Sequence, residues 1–394
     1  MKITHIHIER FRGFQNEDFE VGSLLTAIAG QNGTQKSTLL GIITQTFTLK
    51  TEDSMRVEKP LCGGSYISAF KDKFRLSPTF DKPKGHEWTI SFDAGMDDFT
   101  VESIKRTGDP NVRFWKKGAR QEGDGYISFP TIFLSLKRLV PVAEEAKIIT
   151  DDTLLTQEEL NEFKQLHNKI LIAQTPISSA TTITSKNKQS IGVSTELYDW
   201  NQNSMGQDNL GKIILALFSF KRLHDKYPRQ YKGGILAIDE MDATMYPASQ
   251  VELLKVLRKY ASKLNLQILF TTHSMSLLKA MDDLVQEVTK KEETANQAKI
   301  LYLKKVDDKI AIKQGVNFKG IQLDLNVVAE GNNRKKNRIT AYTEDKENIL
   351  FVKAILKSKA FVLDFVDVTL PCSTLMELVT KRVPAFIYPY SIVI

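Results

Sequence analysis

Leu24-Leu-Thr-Ala-Ile-Ala-Gly-Gln-Asn-Gly-Thr-Gln-Lys-Ser37 decides the fold. Its first six residues are nearly all apolar, as expected for a strand buried on both faces of a parallel sheet. The strand runs straight into Gly30-Gln-Asn-Gly-Thr-Gln-Lys-Ser37, and helical spacing begins near Ser37. A glycine-bearing turn between a buried strand and a helix start points several backbone N–H groups at one spot. That spot is the positive end of the helix, so the turn can cradle phosphates. Lys36 would reach the β- and γ-phosphates, and the Ser37 hydroxyl would take a Mg²⁺ position. One residue departs from the usual G-x-x-x-x-G-K-[ST] pattern: the sixth position is Gln35, not glycine.

Three later stretches belong to the same chemistry. Ile235-Leu-Ala-Ile-Asp-Glu240 is an apolar strand that presents two carboxylates at its end. There Asp239 would hold Mg²⁺ through water and Glu240 would polarise an attacking water. Alone, a strand ending in Asp-Glu reads equally well as a solvated turn. Leu269-Phe-Thr-Thr-His-Ser274 is a further strand ending at His273. Ser204-Met-Gly-Gln207 heads a largely apolar helix, where Ser and Gly can offer donors to a phosphate. Their order along the chain decides between the readings: phosphate loop, serine–glycine helix start, acidic strand, histidine strand.

That order, together with Ile6-His-Ile-Glu-Arg-Phe-Arg-Gly-Phe14 at the N-terminus, resembles the SMC/RecF/OLD branch of ABC-type ATPases. The resemblance implies an α/β P-loop head with ATP sandwiched between two heads, hence a homodimer. It places ATP contacts at Arg12, Asn32, Gly33, Thr34, Gln35, Lys36, Ser37 and Thr38. Ser204, Gly206 and Gln207 match the signature motif, which reaches the γ-phosphate held by the opposite subunit. Asp239 and Glu240 match Walker B, Asp242 the D-loop, and His273 the switch histidine. Catalytic roles would fall to Lys36, Glu240 and His273, and Mg²⁺ to Ser37 and Asp239. The Q-loop glutamine of that branch is left unplaced: Gln45 is too early, and Leu134–Leu139 offers none.

Outward from these motifs, residues about 60–135 carry short alternating stretches such as Trp88–Phe92 and Phe99–Ile104, separated by glycine turns, and read as a β-meander. A helical insert is expected over about 144–200, with a capping box at Thr156–Glu159. Within it, the Ser-, Thr- and Asn-rich stretch 176–203 reads as a mobile loop. The 167 residues from Ser37 to Ser204 hold no sustained heptads, so a long coiled coil is excluded. The expected ATPase domain is 1–330.

The tail 338–394 resembles part of a Toprim domain: strand, acidic turn and helix over Arg338–Leu356. There Glu344 would be the first carboxylate for Mg²⁺ or Mn²⁺, although the turn also reads as an ordinary helix cap. The sequence reaches Ile394 before any D-x-D pair. The expectation is either a fragment of a longer nuclease or a degenerate one. The resemblance as a whole is to OLD-type proteins acting on DNA in antiphage defence. An ATP-gated subunit controlling a separate effector, or a reverse transcriptase with its RNA–DNA product, is the alternative. A RecF-like repair ATPase is a further one.

Composition narrows the class further. There are 54 Lys and Arg against 47 Asp and Glu, net +7, with 42% apolar residues. That apolar fraction is too high for disorder, and no apolar run is long enough to span a membrane. The N-terminus lacks the continuous apolar stretch of a signal peptide. Cys62 and Cys372 stand alone, which excludes a disulfide scaffold and a cysteine zinc site. A cytoplasmic protein is expected. Arg334, Lys335, Lys336 and Arg338 are candidate DNA-phosphate contacts, or simply a solvated linker.

Overall fold

The computed structural model describes the chain except residues 51, 67–69, 78, 94, 106–111, 119–124, 140–146, 152–153, 174, 186–188, 330–338, 367, 387–390 and 394. The basic stretch Arg334–Arg338 therefore lies outside the described residues. Two compact units divide the chain, Met1–Leu325 and Asn326–Ile394.

The first unit is built on a six-stranded sheet. Its order is β9 (Thr131–Leu134), β13 (Gly234–Ile238), β14 (Leu266–Thr272), β3 (Leu25–Gly30), β15 (Ala298–Val306) and β16 (Lys309–Lys313). All neighbours are parallel except β16, which turns back on β15. Every residue of β3, β13 and β14 is buried, which explains their mostly apolar character. Alternate residues of these strands feed two separate cores. Ala27, Ala29, Leu236 and Ile238 pack with α4 (Met205–Lys226), α5 (Pro247–Lys263) and α6 (Met275–Thr289). Ile28, Ile235, Ala237 and Leu269 pack on the other face with α1 (Lys36–Thr44) and a second, antiparallel sheet.

That second sheet has the order β2 (Phe14–Glu20), β1 (Ile3–Phe11), β5 (Glu87–Phe92), β6 (Phe99–Lys105), β7 (Val112–Lys116). The expected meander is thus β5–β7, and the N-terminal hairpin extends it through β1. Phe11 and Phe114 each meet Trp88 edge-on in its core and meet one another at a tilt, beside α2 (Phe70–Lys73). Short β4 (Phe47–Thr48) and β8 (Ile127–Ser128) pair in parallel at its margin.

Residues 144–200 depart from the expected helical insert. Among the described residues they contain one α-helix, α3 (Gln157–Leu171), whose Thr156–Glu159 capping box forms as read. Beside it stands an antiparallel sheet of β10 (Ile149–Asp151), β11 (Ser179–Thr184) and β12 (Gln189–Ser194). The stretch expected as a mobile loop is therefore largely a hairpin. Its polar residues mask a buried stretch: Thr182 and Ile183 on β11, and Ser190 to Val193 on β12, are all buried. The β-branched Thr, Ile and Val residues suit strands, and β12 is covered by α4, where Ile191 O lies against Gly211.

The division between the units falls within α7 (Phe318–Ala329). The second unit has a parallel three-stranded sheet in the order β18 (Leu363–Phe365), β17 (Ile339–Tyr342), β19 (Ser391–Val393). Its helices are α8 (Lys346–Leu356) and α9 (Cys372–Thr380).

Candidate nucleotide site

The strand carrying the phosphate loop (β3) and the strand carrying the acids (β13) are not neighbours; β14 lies between them. The loop's residues must therefore reach across one strand to meet the acids, and they do. Ser37 Oγ donates to Asp239 Oδ1 at 2.8 Å. Thr271, on the intervening β14, donates to the same oxygen at 2.7 Å and accepts the Glu240 N–H at 2.6 Å. Asp239 is only 6% exposed, and two hydroxyl donors are what a buried carboxylate requires.

Lys36 opens α1 and is buried, its Nζ donating to Gly30 O at 3.1 Å and Gln31 O at 3.0 Å. Burial lowers its pKa; Glu240, Asp239 and Asp242 pull the other way. The lysine thus folds back over the Gly30–Ser37 turn, within electrostatic reach of the three acids. Gly30 is required here, since a Cβ would lie 2.5 Å from Leu303 O. Asn32 and Gly33 stand exposed at the loop's tip, and Thr34 braces it by donating to Gln31 O at 2.8 Å. Gln35 holds the backbone conformation that glycine usually supplies, at φ 62° and ψ 32°. For a residue with a Cβ this costs about 1 kcal/mol. Its amide nitrogen packs against Gly13, while its Oε1 is buried with no hydrogen-bond partner among the described residues.

Arg12 lies beside the first turn of α1, its guanidinium 3.4 Å from Thr38 Oγ1. It is already engaged: it grips Asp81 through two bonds of 3.0 Å and donates to Arg75 O at 2.7 Å. Burial would raise the Asp81 carboxyl, but Arg12, the Ser77 N–H and His86 outweigh it and bring the pKa down to about 2.

Asp242 Oδ1 accepts the His273 backbone N–H at 3.3 Å. The His273 pKa is lowered, by burial first and then by Lys36, against the pull of Asp242, Glu240 and Asp239. Lys36, Ser37, Asp239, Glu240, Asp242 and His273 are therefore one cluster. Ser204, Gly206 and Gln207 cap α4 instead. Ser204 Oγ accepts the Gln207 N–H at 3.3 Å, and the Gln207 side chain returns to the Ser204 N–H at 2.8 Å. Ser204 is exposed, whereas Gly206 touches the loop after the acids: a Cβ there would lie 2.5 Å from Thr244 O. Glu344, in the second unit, accepts the Cys372 N–H at 3.2 Å and so caps α9.

Thr271, Arg138 and Asn209 were not singled out by the motifs. Thr271 hides inside an apolar strand, and nothing in Leu134-Ser-Leu-Lys-Arg-Leu139 separates Arg138 from its neighbour Lys137. Arg138 is 2% exposed and donates to Asn209 Oδ1 at 2.7 Å and to Glu240 O at 2.8 Å.

The residues present fit a nucleotide with its cation. The cradle holds a lysine that can turn from carbonyls to phosphates, and the Ser37–Asp239 pair offers hard oxygen donors. No group of three or more His, Cys, Asp or Glu suited to a metal occurs among the described residues. Mg²⁺, if bound, would be held by the Ser37 hydroxyl and the Asp239 carboxylate and would supply positive charge to the phosphates.

Strand order and site together define the class as a P-loop ATPase domain on an α/β sheet. Residues 136–278 match the family model described as AAA ATPase domain. In structure the chain is similar to the SMC head domain from Thermotoga maritima, at 14% identity and TM-score 0.44, covering 80% of this chain and 100% of that one. It is also similar to an SMC head bound to the C-winged helix domain of ScpA (14% identity, TM-score 0.49, 82% and 100%). A third likeness is to the recombination mediator protein RecF (12%, 0.40, 80% and 98%). No curated protein matches by sequence. No helix among the described residues is long and apolar enough to cross a membrane.

Proposed function

We propose that the chain is an ATP-binding and ATP-hydrolysing head of the SMC/RecF/OLD kind that works as a head-to-head homodimer on DNA, in antiphage defence. The observation that carries the ATPase reading is the 2.8 Å bond between Ser37 and Asp239 across β14, with Glu240 next in the chain. In this reading the N–H groups of the Gly30–Ser37 loop and Lys36 hold the phosphates, while Ser37 and Asp239 hold Mg²⁺. The cation, when bound, neutralises charge on the phosphate oxygens. Glu240 accepts a proton from the attacking water. His273, kept neutral by its surroundings, can accept a hydrogen bond from that water or donate one to a phosphate oxygen. The exposed Ser204 and the N–H groups that start α4 serve the γ-phosphate held by a second copy. The test is phosphate release by the full chain together with its mass in solution. A Glu240→Gln variant should become a dimer on adding ATP and Mg²⁺, and a monomer under those conditions would remove the sandwich.

The β17–turn–α8 arrangement supports placing a Toprim-like segment after the head. In the OLD-type version, Mg²⁺ or Mn²⁺ at Glu344 would serve a nuclease gated by closure of the heads. One observation favours the other version, in which the chain regulates a separate effector or a reverse transcriptase with its RNA–DNA product: the Glu344 carboxylate is spent on the α9 N-terminus. Manganese-dependent nicking of plasmid DNA that disappears in Glu344→Ala supports the nuclease. Co-purification of a stoichiometric partner that is lost in Lys36→Ala supports the regulator.

A further inference from the structure

The segment that follows Asp239 is unusual. Glu240 and Thr244 both adopt left-handed backbone, at φ 49° and 68°. Neither is glycine, and a β-branched threonine resists that conformation most. Such a loop persists only where its surroundings hold it. Four buried side chains that no motif singles out do so: Thr271 accepts the Glu240 N–H, Gln250 donates to Asp242 O and Met245 O, and Arg138 and Asn209 bond to carbonyls at its two ends. Arg138 donates from Nε to Asn209, from one terminal nitrogen to Leu134 O and Ser135 O at 3.2 and 3.1 Å, and from the other to Glu240 O at 2.8 Å. Asn209, fully buried on α4, donates to Ala243 O at 3.0 Å. One bond therefore grips each end of Glu240–Ala243.

Burying a guanidinium is costly. Burial lowers the pKa of Arg138 to about 10 even with Asp239, Glu240 and Asp242 opposing it. An apolar side chain would fill that space without the penalty, so what the arginine adds is directional bonding. Asn209 lies three residues along α4 from Gly206, whose own backbone touches Thr244 O. The start of α4 is thus joined through Asn209 to Ala243 and to Arg138, and through Arg138 to the Glu240 backbone.

We propose that Arg138 and Asn209 are positioning residues that transmit the docking of a second copy at the start of α4 to the backbone of Glu240, setting its carboxylate for the attacking water. The inference rests on the ATPase reading above and adds to it the route by which closure reaches chemistry. Neither residue need touch the nucleotide.

The experiment compares full-length wild type, Arg138→Lys and Asn209→Ala. Each is measured for ATP hydrolysis, affinity for a fluorescent ATP analogue, and backbone hydrogen exchange in peptides covering 239–245. Arg138→Lys keeps the charge and loses the fork, so kcat should fall at least tenfold while affinity stays within about twofold. Asn209→Ala should lower kcat about threefold or more. Both should exchange faster at 240–245. In a Glu240→Gln background ATP should protect that segment, and adding Arg138→Lys should abolish the protection. Unchanged kcat with unchanged exchange overturns the proposal, as does equal loss of affinity and kcat, which marks a merely structural role. Should wild type fail to hydrolyse ATP, the ATPase reading fails by itself. The exchange data then judge the relay: unaltered exchange in both variants removes it, and faster exchange retains the coupling of α4 to the loop.

Discussion

Asp239 and Glu344 are both carboxylates just beyond the end of a parallel strand, and they are held in opposite ways. Asp239 follows a fully buried strand, is 6% exposed, and takes two hydroxyls on one oxygen from two different elements. Glu344 is exposed on a turn and takes a single backbone N–H from α9. A carboxylate desolvated and oriented from several directions is organised before any ligand arrives, which is what cation binding and water activation demand. A carboxylate with one exposed contact contributes what a helix cap contributes. The same local sequence pattern, strand then acid, therefore means different things, and the difference lies in what surrounds it.

Four experiments would break or sharpen that contrast. The largest effect is expected for Lys36→Ala, which empties the cradle of its only lysine and should cut phosphate release at least a hundredfold. Hydrolysis at the wild-type rate would remove the first site altogether. Glu240→Gln should lower kcat by about 10²-fold and leave ATP affinity nearly unchanged, whereas Glu344→Gln should leave hydrolysis within about twofold. Equal effects of the two on hydrolysis would erase the distinction between them.

Acid should act on the first unit through Asp81. Its folded pKa of about 2 lies below the ordinary 3.8, so its pairing with Arg12 stabilises the fold above pH 4 and is lost as pH falls toward 2. The contribution is roughly 2 kcal/mol. Trp88, Trp115 and Trp200, the three tryptophans of the chain, all lie in the first unit, so their fluorescence during urea unfolding reads that unit alone. Arg12→Ala should remove most of the slope between pH 4 and 2. A slope that survives the substitution would assign acid sensitivity elsewhere.

The smallest effect belongs to Gln35→Gly. It relieves a left-handed residue and an unpartnered buried oxygen, but it also loosens the unfolded chain. The net should be within about 1 kcal/mol of wild type by thermal unfolding. A loss well beyond that would show that the glutamine side chain is a structural part of the loop rather than a tolerated departure.

Much of the first site was legible because its motifs sit at the ends of strongly apolar strands. Gly30–Ser37, Asp239, Glu240 and His273 are each preceded by an unbroken buried run, and such runs are readable from hydrophobicity alone. The hairpin over 179–194 was not, since its buried Ile and Val are spaced among Ser and Thr that mimic a loop. Thr271 was invisible for the opposite reason: a hydroxyl within an apolar strand gives no signal until its partner is known. Arg138 and Asn209 follow the same rule, as an ordinary charge beside a lysine and an ordinary amide in a helix.

What the sequence by itself determined is local. It set a strand that runs into a glycine-bearing turn, an acidic strand end, a capped helix start and their order, since period and cap chemistry act between near neighbours. Only the tertiary structure decided that β14 lies between the loop and the acids, that Thr271 bridges them, and that Arg138 grips the Glu240 carbonyl. Those contacts join residues tens to hundreds of positions apart, and a hydrogen bond over such a separation is specified by the packing of the whole sheet, not by any stretch of it.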